Sequence, residues 1–122
     1  IGHGTNSFRD PKLLTHLAEA RIPLEVCPTS NIATRAVSTL DEHPIKEFVK
    51  AGIVVTINSD DPPMFGTDLN NEYAVAARLL DLDERGLAEL AKNAVDVSFL
   101  DEPGKARIRE EIDTYTASWL AP

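Results

Sequence analysis

The chain carries one cysteine, one methionine and one tryptophan, and it has no apolar run long enough to span a bilayer. With Cys27 as the single thiol no intrachain disulfide can form, and a reducing, cytoplasmic setting is expected. Basic residues are also scarce. Twelve Lys and Arg stand against twenty Asp and Glu, a net charge of −8. That balance argues against a nucleic-acid backbone or an anionic membrane surface as partner. No Gly-x-Ser-x-Gly elbow surrounds Ser30, so a serine-hydrolase triad has no support. Gly2, Gly4, Gly52 and Gly66 make no phosphate-binding loop of either common type.

What is present is an ordinary globular composition, 43% hydrophobic and 26% charged over 122 residues, which suits one small domain. Ile1 runs directly into Gly2-His3-Gly4, which reads as the end of a strand begun upstream. The chain is therefore expected to be part of a longer protein. Asp10-Pro11 is an N-cap followed by proline at the first helical position, and Leu13, Leu14, Leu17 and Ala18 give the following helix an apolar face. Leu24 to Cys27 reads as a second strand, closed by Pro28 and the polar loop Thr29-Ser30-Asn31. A shaped loop over 32–40 leads to His43-Pro44 and a helix that ends at Ala51-Gly52. Ile53 to Ile57 is a third, β-branched strand. Three helices complete the chain, over 69–80, 83–94 and 103–120, the last with Ile108, Ile112, Tyr115 and Trp119 as its buried stripe.

Strands alternating with helices imply parallel strands and right-handed crossovers. Three parallel strands leave two open edges, a liability for an isolated sheet. The order suits part of a (β/α)8 barrel: the last three strand-helix units plus C-terminal helices, with residues 1–122 as the C-terminal portion of one barrel domain.

In such barrels chemistry sits at the C-terminal strand ends. Here those ends are Gly2-His3-Gly4, Cys27 to Asn31, and Ser59-Asp60-Asp61, each polar or titratable. Adjacent carboxylates on an extended chain point in opposite directions, so one of Asp60 and Asp61 can take a metal and the other a ligand; alone, the pair reads first as a solvated turn. His3, exposed between glycines and near that pair, suits metal chemistry or proton transfer. His16, among Leu and Ala on a helix, reads as a surface residue, and His43 as structural. Cys27, in an apolar strand with no basic neighbour, reads as a small buried side chain.

Taken together, Gly2-His3-Gly4, Val26-Cys27-Pro28-Thr29-Ser30-Asn31, His43-Pro44 and Asn58 to Pro62 with Met64-Phe65-Gly66 resemble the C-terminal part of the adenosine/adenine deaminase family. The resemblance implies a zinc-containing barrel that converts the 6-amino group of an adenine-type substrate to a 6-oxo group with release of ammonia. It implies Asp60 as a zinc ligand, Asp61 as the group that bonds the purine near N7, and His3 beside the attacking water, orienting it and helping it lose a proton. The family's His-x-His pair, its further histidine and its proton-shuttling glutamate have no counterpart here, so the remaining barrel half is a required partner and the fragment alone is expected to be inactive. Adenosine leads as substrate, with free adenine and aminodeoxyfutalosine as alternatives. Readings from other classes are a non-catalytic half-barrel scaffold and a barrel hydrolase acting on amides or phosphoesters.

Overall fold

A computed structural model describes residues 1–120; the last two residues of the expected 1–122 unit lie outside the described part. A 3-10 turn over Thr5–Arg9 leads into helix α1, Pro11–Glu19, whose N-cap Asp10 accepts hydrogen bonds from the Lys12 and Leu13 amides. Strand β1, Leu24–Val26, pairs in parallel with β2, Val55–Ile57. Helices α2, Pro28–Ala33, and α3, Ile45–Lys50, lie between the two strands. After β2 come α4, Pro62–Phe65, α5, Leu69–Leu80, α6, Glu84–Val97, and α7, Glu102–Leu120.

The first expected strand is present only as one parallel bridge, Gly2 to Glu25. The Glu25 amide donates to the Ile1 carbonyl and the His3 amide to the Glu25 carbonyl, each at 2.9 Å. The three pieces thus run parallel in chain order, as expected for consecutive barrel units. Gly4 follows at φ 66°, and a Cβ there would lie 2.8 Å from Leu24 Cδ2, so the turn demands glycine for both torsion and space.

Leu24, Val26, Val55 and Ile57 project into a core shared with Leu17, Ile45, Phe48, Ile53, Ala76, Leu79 and Leu90. On the β2 edge away from β1, Asn93 of α6 donates to the Val55 carbonyl at 3.1 Å, satisfying a polar group that the small sheet leaves open.

Two expectations are corrected. Thr29-Ser30-Asn31 is helical, not a loop: Pro28 occupies the first position of α2, where its missing N–H costs nothing. In the same way Pro62 occupies the first position of α4. The stripe on α7 is not buried, since Tyr115 is 65% and Trp119 69% exposed and Ile108 and Ile112 are half-buried. It forms one wall of an apolar groove of about 540 Å³ against α6.

Candidate active site

Every sequence-predicted site residue lies at a C-terminal strand end. His3 follows the Gly2 bridge, Ser30 and Asn31 sit in the first turns of α2 just past β1, and Asp60 and Asp61 follow β2. His3 and Asp60 border an open concavity of about 530 Å³ lined also by Glu25, Cys27, Asn58 and Tyr73, whereas Asp61 is not among its lining residues.

Backbone torsion separates these residues from ordinary turns. Among the described residues five non-glycine residues have positive φ, and Arg21, Arg35 and Asp81 of these lie at helix C-termini, where a left-handed residue is the usual terminator. His3 at φ 57° and Asp60 at φ 58° do not. Both stand at strand ends, where the strained torsion aims each side chain across the sheet. The divergence of Asp60 from Asp61 therefore comes from a left-handed residue followed by one at φ −112°, not from the alternation of an extended strand.

His3 Nε2 lies 3.7 Å from Asp60 Oδ2, with the two side chains 43% and 36% exposed. Ser30 Oγ donates to the same oxygen at 2.6 Å. Asp60 Oδ1 has no hydrogen-bond partner among the described residues. Asp61 Oδ1 accepts from the Met64 amide at 3.2 Å as the N-cap of α4, which fixes the carboxyl group and leaves Oδ2 unused by that contact.

Behind this open rim is a buried polar layer. Ser30, Asn31 and His43 are all buried. Asn31 Nδ2 lies 3.0 Å from His3 Nδ1, and Asn31 Oδ1 lies 3.0 Å from His43 Nε2. His43 Nδ1 accepts from the Ile45 amide at 3.2 Å. Burial lowers the His43 pKa to about 4, so its ring is neutral near pH 7. Its structural reading holds, with a side-chain amide as partner.

Glu72 is 0% exposed and accepts from the Thr29 amide at 3.0 Å and from Thr67 Oγ1 at 2.5 Å, tying α5 to the start of α2. Sequence reasoning passed over it; the available signal was an acidic residue at i of an i, i+4, i+7 stripe completed by Ala76 and Leu79. Cys27 is buried, and burial, helped by Asp60, Glu72 and Glu25, raises its pKa to about 11. A thiol held protonated is no nucleophile, in keeping with a packing role. His16 is exposed on α1, away from the site.

Asp60 suits a metal in donor type: a hard carboxylate at an open concavity, oriented by the hydroxyl of Ser30. It stands alone in this, because no group of three His, Cys, Asp or Glu side chains gathers among the described residues. Parallel strands with titratable ends place the chain in the class of α/β barrels that carry their chemistry at the C-terminal strand ends.

A family model described as adenosine deaminase matches residues 1–115, and the chain belongs to that family. Over all 122 residues it is 84% identical to the aminodeoxyfutalosine deaminase of Streptomyces avermitilis, of which it covers 34%. It is 43% identical over 112 residues to the adenosine deaminase of Pectobacterium atrosepticum, covering 92% of this chain and 33% of that protein. The crystal structure of adenine deaminase from Arthrobacter aurescens matches with a TM-score of 0.89 at 32% identity, over 96% of this chain and 36% of the other. The chain thus spans about a third of the length of the relatives it matches.

Proposed function

We propose that this chain supplies one side of the active site of a zinc-dependent hydrolytic deaminase acting on a 6-amino purine nucleoside. The observation that carries the reading is the convergence of His3 and Asp60 to 3.7 Å at the open strand ends of a chain in this family. Asp60 would provide one ligand, and the remaining ligands and the acid that protonates departing ammonia would come from the rest of the barrel. A zinc ion held there would supply Lewis acidity, lowering the pKa of a coordinated water to about 7.

The residues of this chain divide the other work. His3 presents Nε2 beside Asp60, where it can orient the water that attacks C6 of the purine. Ser30 holds the Asp60 carboxylate in one orientation through its hydroxyl. Asp61, with Oδ1 anchored to the Met64 amide, offers Oδ2 to the purine N7, a bond that requires the carboxyl to share or donate a proton. A C–O bond forms at C6, the C–N bond breaks, and ammonia leaves.

Among substrates, a modified adenosine such as aminodeoxyfutalosine is favoured over adenosine, which leads on sequence alone. Its support is 84% identity to an aminodeoxyfutalosine deaminase against 43% to an adenosine deaminase. The test is ammonia release and the ultraviolet change from 6-amino to 6-oxo purine, measured on the full-length zinc-loaded protein with both nucleosides. Higher kcat/KM for aminodeoxyfutalosine is expected. Turnover of an amide, with no ammonia from either nucleoside, would contradict the reading.

A further inference from the structure

The buried layer behind the site carries a direction. A backbone N–H can only donate, and the Ile45 amide does so to His43 Nδ1 at 3.2 Å. The neutral His43 ring therefore bears its proton on Nε2, 3.0 Å from Asn31 Oδ1, which can only accept. That settles the Asn31 amide, since the flipped group would set two donors against each other between buried side chains. Asn31 Nδ2 then donates to His3 Nδ1 at 3.0 Å. With that lone pair engaged, a neutral His3 has its proton on Nε2, the atom nearest Asp60.

We propose that Asn31 and His43 are positioning residues that set the tautomer of His3, so that it enters the reaction as an Nε2–H donor. This rests on the reading of His3 as the residue beside the attacking water and narrows its role. A ring protonated on Nε2 has no lone pair there for a metal or for a proton in flight. It holds the oxygen of the water by donating to it and fixes the lone pair that faces C6. The relay begins at the first amide of α3, passes through two buried polar side chains, His43 and Asn31, and ends at His3 in the strand-end turn.

The test uses the full-length zinc-loaded enzyme labelled with nitrogen-15 in histidine, with the His3 signals assigned by their loss in His3→Gln. Wild type should show His3 as the Nε2–H tautomer. In Asn31→Asp the carboxylate accepts from both neighbours, so the His3 tautomer should change, with a proton on Nδ1 facing the new carboxylate. kcat should then fall by about 100-fold while KM and zinc content change little. His43→Gln can still accept from the Ile45 amide and donate to Asn31, so it should keep both tautomer and turnover, whereas His43→Phe should lose both. A wild-type His3 protonated on Nδ1 alone, or an unchanged tautomer in Asn31→Asp, overturns the proposal. A changed tautomer with unaltered kcat upholds the relay and removes His3 from catalysis, so the two readings fail separately.

Discussion

Ser30 Oγ and Asp60 Oδ2, thirty residues apart in sequence, are joined at 2.6 Å across the ends of two adjacent parallel strands. Ser30 is buried and cannot turn to solvent, so its hydroxyl has a standing claim on one carboxylate oxygen and leaves the other to be used outward. Ser30→Ala removes that orienting bond and leaves the proposed ligand Asp60 itself unchanged. In the full-length enzyme its zinc affinity should fall by about 10–100-fold, measured by competition with a chromogenic chelator. Affinity equal to wild type would mean that Asp60 is held by other means.

Glu72 is expected to matter for stability rather than turnover. Its carboxylate satisfies the Thr29 amide and the Thr67 hydroxyl in a fully buried position. Glu72→Ala leaves both without their acceptor and opens a void, and it should cost about 3 kcal/mol in denaturant unfolding of the full-length protein. A loss below about 0.5 kcal/mol would place Glu72 among ordinary surface substitutions.

At Gly4 the expected failure is steric and torsional. Gly4→Ala combines φ 66° with a Cβ 2.8 Å from Leu24 Cδ2 in the core. It should destabilise the fold by about 1–3 kcal/mol. Because His3 is the preceding residue, kcat should fall as well, with zinc content preserved.

The fourth expectation concerns pH. Burial lowers the His43 pKa from its ordinary 6.5 to about 4, so the unfolded chain binds a proton that the folded chain refuses in that interval. The stability tied to the neutral ring is fully present above pH 6.5 and is lost as pH falls toward 4. The loss is on the order of 3 kcal/mol. Chemical denaturation should find full-length wild type and His43→Gln close in stability above pH 6.5 and diverging as the pH drops, because wild type loses stability while the glutamine cannot titrate. Parallel curves would show that His43 titrates in the fold as it does in the unfolded chain.

The strand–helix alternation was legible because proline and glycine mark its boundaries: Asp10-Pro11, Ala51-Gly52 and the β-branched run before Asn58 each lie at an element boundary or within a few residues of one. The polar strand ends could be read for the same reason, as turns where Asp and His interrupt apolar runs. The α2 helix was hidden because Thr, Ser and Asn favour turns in isolation, and here they are helical only because Pro28 starts the helix and Glu72 receives the Thr29 amide. The α7 stripe was legible as apolar, but whether an apolar face is covered depends on what packs against it, which periodicity does not encode. Nor could sequence order show that Asn31 lies between two histidines, a contact spanning 28 residues on one side and 12 on the other.

Zinc content of full-length Asp60→Ala, measured by mass spectrometry on protein purified without added metal, tests the central claim most directly. With Asp60 as a ligand at the strand end, the variant should retain little zinc and release no ammonia from aminodeoxyfutalosine, while its circular dichroism matches wild type. Stoichiometric zinc in a folded Asp60→Ala protein would contradict the account and return the Asp60-Asp61 pair to the role of a solvated turn.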